Sequence, residues 1–379
     1  MKMHYQFSAP GRTEIGGNHT DHQHGCVLAA AVNLETLADV SLNESDMIWV
    51  QSEGYPAFGV DLTDLSVHEE EKNTTAALVR GVAAAFAQRG AKLRGFDMAV
   101  TSTVLPGSGL SSSAAFEVLV GTILNELFFD RKLSAIEIAQ IGQYAENVYF
   151  GKPCGLMDQT ACAVGGFVYI DFENTASPEI LPIDFSLSSY GWALCIVNTG
   201  GNHANLTQDY ADITLECRAV SNALGVEFLR DASKDDFYKN YAQIRQQCGD
   251  RAMLRAMHFF NENERVLTQK SALKRGDFNT FFVTVKRSGE SSYDLLQNVY
   301  SPSNPREQAI SVALALTKQF LNGRGAYRVH GGGFAGTIQC YIPNKMFDDY
   351  KQMIESVFGE GSCVKLFVRA VGGYELKGE

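Results

Sequence analysis

LPGSGLSSSAAFE, residues 105–117, is the stretch on which the reading of this chain turns. A β-like run, 96–104, leads into it, and a helix-forming run, 114–128, leads out. Between them stand Gly107 and Gly109, followed by Ser111, Ser112 and Ser113. Glycines let backbone N–H groups turn inward and approach a ligand closely. A helix that begins just after them aims its orphan N–H groups and the positive end of its dipole at the same spot. The combination suits an anion, phosphate above all, with serine hydroxyls on hand for phosphate oxygens or for Mg2+. The stretch is not a Walker A loop, since no lysine precedes its serines, nor a dinucleotide fingerprint, since Ser112 occupies the third glycine position. An ordinary strand-to-helix connection with a serine cap has the same letters, so the rest of the chain must decide.

The chain has 379 residues, enough for two domains or one large one. Hydrophobic residues make up 45% and charged residues 20%, the balance of a globular protein with a substantial core. A formal net charge of −11 argues against nucleic acid or an anionic membrane as partner, because both favour basic patches. It leaves a phosphate ligand open, because nests and helix ends act locally. The eight cysteines form no CxxC and no zinc-type spacing, which predicts reduced, mostly buried thiols. The first residues, MKMHYQFSAPGR, contain no apolar signal segment, and no run reaches the roughly 18 apolar residues of a membrane span. The expected location is the cytoplasm.

Residues 1–60 look β-rich around a polar loop, SAPGRTEIGGNHTDHQHG at 8–25. That loop gathers Arg12, Glu14, Asn18, His19, Asp21, His22 and His24, a composition more often functional than structural. An Ala-rich amphipathic helix is predicted over 74–89, ended by Gly90. Ser134 with Glu137 makes a capping box that starts a helix, and Gly151 ends it. Glu146 falls in its last turns, where a carboxylate opposes the helix dipole unless it meets a cation. Asp158 sits in an apolar run, KPCGLMDQTACAVGG, and so is read as partly buried and either paired, functional or a helix cap. The pattern restarts near 185, with a strand at 192–198, helices between 206 and 290, and strands at 326–329 and 336–341 flanking HGGGFAG. The three glycines there suggest close backbone approach, and His330 beside them is left outside the site. His4, His68, His203 and His258 are read as surface or core residues without chemistry.

These stretches together carry a resemblance. SAPGRTEIGGNHTDHQHGCVL resembles the galactokinase signature, and LPGSGLSSSAAFEV is similar to the phosphate loop of the GHMP small-molecule kinases. AENVYFGKPCGLMDQTACAVGG resembles the galactokinase segment that holds a catalytic aspartate, and RVHGGGFAGT resembles the family's glycine-rich third motif. Four motifs in the right order span essentially the whole chain. The resemblance implies an α+β, two-domain GHMP kinase fold: a mixed-sheet N-terminal domain over 1–185, a ferredoxin-like C-terminal domain over 186–379, and the active site in the cleft between. It implies transfer of the γ-phosphoryl group of ATP to the C1 hydroxyl of galactose, with Mg2+. By position, Asp158 and Arg12 take the catalytic roles. Gly107, Ser108, Gly109, Leu110, Ser111, Ser112 and Ser113 wrap the ATP phosphates, and Ser113 and Glu146 hold Mg2+. Asn18, His19, Asp21 and Tyr210 meet the sugar, and Gly331–Gly333 match the motif that closes over the site.

The first motif departs from its family pattern, Arg-Val-Asn-Leu-Ile-Gly-Glu-His-Thr-Asp-Tyr. Here Asn and Glu exchange places, giving Glu14 and Asn18, and His22 replaces the Tyr. In the family that Glu contacts the sugar's C6 hydroxyl. The neutral Asn18 would tolerate a C6 carboxylate, which makes a sibling kinase for galacturonate or another C6-altered sugar a rival. Residues 73–81, NTTAALVRG, lack the Trp and Tyr that the family often places near adenine, and NVYSPSNPREQ replaces a Cys-Pro-Glu-Leu-Asp-like run. A catalytically silent sugar sensor is the remaining alternative, disfavoured because Arg12, Ser113, Glu146 and Asp158 are all present.

Overall fold

In the computed structural model, which describes residues 4–104, 109–152, 154–185, 187–201, 206–334 and 336–376, the chain begins with a long hairpin. Its strands are β1 (His4–Gly16) and β2 (Cys26–Leu42). They pair antiparallel along most of their length, with register shifts between Pro10 and Arg12 and between Glu14 and Gly16. The expected polar loop therefore starts later than its composition suggested, because residues 8–16 are strand. The bulges absorb the glycines and re-aim Arg12 away from the ladder, so its N–H donates to the Leu110 carbonyl at 3.0 Å. Gly107 and Ser108, expected in the phosphate loop, lie outside the described residues, as does His203.

Next come β3 (Met47–Ser52), β4 (Phe58–Asp61), helix α1 (Thr75–Gln88) and β5 (Phe96–Ser102). Helix α2 (Ser112–Phe128) follows, then α3 (Ala135–Tyr144), which passes into a π-turn, Ala145–Phe150. The expected capping box is present at Ser134 and Glu137, and Gly151 closes the segment at φ 83°. Helix α4 (Met157–Val164) and strands β6 (Phe167–Asp171) and β7 (Glu179–Ile183) complete this half. β2 is the hub of the sheet: its first residues pair with β6 and its last with β5, while β3 joins β5 in parallel. Helices α1 to α4 bury Val79, Phe86, Leu119, Ile123, Ile141 and Cys162 against inward residues such as Phe7, Val40 and Val50. Each such large side chain contributes about 1.5–3 kcal/mol on burial.

The second half opens with β8 (Trp192–Asn198), then α5 (Thr207–Ala223), α6 (Lys234–Lys239), α7 (Tyr241–Cys248), α8 (Asp250–Arg275) and α9 (Phe278–Ser291). Helix α10 (Ala309–Leu321), β9 (Ala326–Val329), β10 (Thr337–Pro343), α11 (Phe347–Phe358) and β11 (Cys363–Leu366) follow. Their sheet has the order β11-β8-β10-β9, all antiparallel, which is the ferredoxin-like arrangement. The last strand, β12 (Tyr374–Leu376), returns to pair with β1, so sheet membership does not follow one cut in the sequence. All eight cysteines are free thiols, six of them buried. Among the described residues no helix is long and apolar enough to cross a membrane.

Candidate active site

The bulge in β1 and the first turn of α4 bring Arg12 and Asp158 together. Arg12 Nε donates to Asp158 Oδ1 and Nη2 to Oδ2, both at 2.7 Å. The guanidinium side chain is 8% exposed and the carboxylate 32%, so the pair is anchored from behind and open in front. Arg12 Nη1 also donates to the Gly109 carbonyl, and Ser111 Oγ donates to Asp158 Oδ2. Burial alone would raise the Asp158 pKa; the Arg12 charge and hydrogen bonds, Ser111 and Lys152 outweigh it and hold the carboxyl below its usual range. Oδ1 keeps acceptor capacity for one more donor.

Ser111 decides what the start of α2 can do. It occupies the N-cap position with φ 56°, a left-handed conformation unusual for a residue with a Cβ, and its hydroxyl caps nothing. Its hydroxyl turns to Asp158 instead, so among the described residues Ser111 supplies no side-chain cap to the first N–H groups of α2, the kind of helix start that suits an anion. α3, whose start is capped on both sides by its Ser134–Glu137 box, is the contrast within the same chain. Ser112 and Ser113 line a cavity of about 930 Å3 together with Thr36, Asn73, Leu78 and Phe116. Its aromatic walls are Tyr55, Phe58 and Phe150, which supply flat apolar surface where residues 73–81 do not.

One turn further along α2, at Glu117, Gln159 Nε2 bridges two buried acids, donating to Glu117 Oε2 at 3.0 Å and Glu146 Oε2 at 2.9 Å. Glu146 Oε1 accepts from Lys152 Nζ at 3.2 Å, and Glu117 Oε1 is buried without a partner among the described residues. Burial, with the Glu146 charge added, pushes Glu117 well above the ordinary carboxylate range. Among the described residues no group of three or more His, Cys, Asp or Glu could hold a metal ion by itself, so the hard oxygen donors here fit only a Mg2+ that takes most of its ligands from phosphate and water.

The first and third motifs clasp each other. Asn18 Nδ2 donates to the Gly331 carbonyl at 2.7 Å and His19 Nε2 to the Gly332 carbonyl at 3.0 Å. Tyr210 Oη, from α5, donates to the Gly333 carbonyl at 3.0 Å, and its ring stands edge-on to Phe334. All three glycine carbonyls are thus occupied. A Cβ at Gly332 would meet the Tyr210 ring at 2.6 Å, which explains a glycine there. Since a carbonyl only accepts, His19 carries its hydrogen on Nε2, leaving Nδ1 as an acceptor.

Asn18 differs from the expectation. It is wholly buried, with Nδ2 spent on Gly331 and Glu14 and Oδ1 accepting from Asn298 Nδ2 at 2.9 Å and Ser292 Oγ at 3.3 Å. Its amide holds protein to protein and offers nothing to a sugar. Glu14, its exchange partner, lies 3.2 Å away and is neutralised by Arg328 Nη2 at 2.6 Å. The swapped Asn and Glu are therefore one buried contact, balanced by an arginine of the third motif.

Asp21 behaves oppositely. Its carboxylate makes no side-chain hydrogen bond among the described residues, and it borders the region of Asp158. Burial, then the charges of Asp158 and Glu14, raise its pKa to about 6. Among the described residues the carboxylate accepts only from the backbone N–H groups of His22 and of Asp21 itself, which leaves it capacity to accept from hydroxyl groups. Residues that sequence reading passed over include Glu117, Gln159, Asn298 and Arg328, whose roles arise only from contacts between distant segments.

Comparison with known proteins follows the same lines. Residues 77–166 match the family model "GHMP kinases N terminal domain", and residues 2–42 match "Galactokinase galactose-binding signature". A galactokinase of Actinobacillus pleuropneumoniae is 31% identical over 364 residues, covering 94% of this chain and 90% of that protein. A galactokinase of Haemophilus influenzae is 32% identical over 362 residues, with the same two coverages of 94% and 90%. Among solved structures, Lactococcus lactis galactokinase complexed with galactose superposes with a TM-score of 0.82 at 23% identity, covering 98% of this chain and 95% of that one. A mevalonate kinase gives a TM-score of 0.68 at 13% identity, covering 96% and 99%.

Proposed function

The chain belongs to the galactokinase family of GHMP kinases, and we propose that it transfers the γ-phosphoryl group of ATP to the C1 hydroxyl of galactose, giving galactose 1-phosphate and ADP. The observation that carries this reading is the Arg12–Asp158 pair, held at 2.7 Å on both arms beside the uncapped start of α2. Phosphoryl transfer asks mainly for positioning and charge neutralisation, and the pair sits where phosphate and acceptor would meet. In this reading Asp158 stays ionised and takes the hydrogen of the sugar hydroxyl on the free side of Oδ1. Its depressed pKa favours orienting that hydroxyl first and receiving its proton late, as the bond to phosphorus forms. Arg12 keeps the carboxylate in place and balances charge on the moving phosphoryl group.

Gly109, Leu110, Ser111, Ser112 and Ser113, with Gly107 and Ser108, are assigned to the ATP phosphates, and Ser113 and Glu146 to Mg2+. The bound Mg2+ would neutralise phosphate oxygens. Asp21 is assigned to the sugar hydroxyls, with His19 Nδ1 and the Tyr210 ring beside it. Asn18 is retained as the residue that positions this loop. The buried amide of Asn18, with partners on both its nitrogen and its oxygen, supports galactose over a C6-altered sugar. The division at 185/186, a cytoplasmic location, and the exclusion of nucleic acid and membrane as partners remain part of the proposal, resting on the restart of the pattern and the −11 charge. The test is product analysis: phosphorus and proton NMR of the sugar made from ATP and galactose should show an anomeric phosphate. Phosphate at any other carbon would refute the assignment.

A further inference from the structure

His330 is 3% exposed and lies between the two halves of the site. Its Nε2 is 2.9 Å from Thr13 Oγ1 and receives the Glu14 N–H at 3.3 Å. Thr13 Oγ1 accepts from Gln339 Nε2 at 2.7 Å, and the same nitrogen donates to the Glu14 carbonyl at 2.8 Å, which fixes the Gln339 amide. Thr13 therefore turns its hydroxyl hydrogen toward His330. Two donors converge on Nε2, so Nε2 is the acceptor, and the neutral ring carries its hydrogen on Nδ1. Burial, with Arg12 and Arg328 nearby, moves the ring's pKa down to about 3 and keeps it neutral.

That Nδ1–H is buried and has no partner among the described residues. It faces Gly109: a Cβ built there would meet Nδ1 at 2.9 Å. The Gly109 carbonyl is already committed to Arg12. Buried donors in folded proteins are almost always satisfied, so one left open beside an anion loop marks the place of a missing acceptor.

We infer that His330 is a phosphate-binding residue, its Nδ1–H donating to an oxygen of the nucleotide's phosphate chain at the Gly109 end of the loop. The inference rests on the kinase reading above. It gives the third motif a direct ligand contact in addition to its clasp on the first. Arg12 and His330 then flank Gly109, one supplying charge and the other a neutral, direction-fixed donor.

The test uses the full chain. In 15N-labelled protein, long-range proton–nitrogen spectra should show the His330 hydrogen on Nδ1, assigned by the loss of its signals in His330→Asn. That Nδ1–H signal should shift on adding ADP or ATP with MgCl2 and stay still on adding galactose alone. In kinetics, His330→Phe should raise the KM for ATP or lower kcat by about 10- to 100-fold, the effect of one buried hydrogen bond to a charged group. His330→Asn, whose amide reaches the Nδ1 position, should stay within about 3-fold of wild type. The inference is overturned by a hydrogen on Nε2, by an Nδ1–H signal that ignores nucleotide, or by equal impairment of the Asn and Phe variants. Should the Phe variant fail to fold, the nucleotide titration of the wild-type signal still decides. Absence of ADP release with every sugar would refute the kinase reading, while the same titration judges His330 separately.

Discussion

The guanidinium of Arg12 and the carboxylate of Asp158 form a two-armed pair, 2.7 Å on each arm, across 146 residues of chain. Asp158→Asn keeps the shape but loses the charge and the acceptor. Phosphoryl transfer should fall by about 10^2–10^4-fold, while ATP binding measured by calorimetry stays near wild type. Arg12→Lys offers one arm for two and should cost about 10–100-fold in kcat. An Asp158→Asn enzyme of full activity would remove Asp158 from the chemistry.

Ser111 separates backbone strain from side-chain chemistry. At φ 56° a glycine is at ease and an alanine is not. Ser111→Gly should be more stable than Ser111→Ala by about 1 kcal/mol in urea unfolding. Both lose the hydroxyl that holds Asp158, so both should lose activity to a similar degree. Full activity in the glycine variant would mean that the hydroxyl is dispensable.

Asp21 sets a pH dependence whose sign is fixed by its pKa of about 6, above the ordinary 3.8. Below about 6 the carboxyl is protonated and loses acceptor capacity, so on the proposed sugar role the KM for sugar should rise as pH falls through 6. The stability effect runs the other way. The folded chain holds this proton more tightly than the unfolded chain, so the charge opposes folding above about pH 6. The folded-state advantage of the proton is intact below 3.8 and lost as pH rises through 6. Asp21→Asn should therefore be about 1–3 kcal/mol more stable than wild type at pH 8, with the gap closing toward pH 4, and inactive at both. A variant no more stable than wild type at pH 8 would contradict this assignment.

Glu14 and Arg328 are 4% and 0% exposed and meet at 2.6 Å. Arg328→Met strands a buried carboxylate and should destabilise the chain by about 3–5 kcal/mol. Adding Glu14→Gln should recover much of that loss. Asn18→Glu alone would place a second acid 3.2 Å from Glu14 and should destabilise, whereas Glu14→Asn with Asn18→Glu should be milder than the sum of the two changes. Additive effects in urea unfolding would show that the exchanged residues are not coupled.

Elements written in local patterns were legible. The capping box at Ser134, the Ala-rich helix before Gly90 and the strand at 192–198 all stand where spacing put them, because caps and periodicity act within a few residues. Composition reads the first motif as loop from residue 8, because polar residues and glycines there hide a bulged strand. The resemblance places Asn18 at a sugar-contacting position, while its bond from Asn298 and the bond of its neighbour Glu14 from Arg328 join segments about 300 residues apart. His330 is silent in the sequence on the same grounds: its hydrogen is fixed by Thr13, Glu14 and Gln339, which no local window contains.

The measurement closest to the central claim is a substrate panel with coupled ADP detection, comparing galactose, galacturonate, arabinose and N-acetylgalactosamine on the wild-type chain. If Asp21 takes the sugar hydroxyls as proposed, galactose should have the highest kcat/KM, and Asp158→Asn should lower its signal by about 10^2–10^4-fold. A higher kcat/KM for galacturonate, or no ADP release with any of the four, would contradict the account.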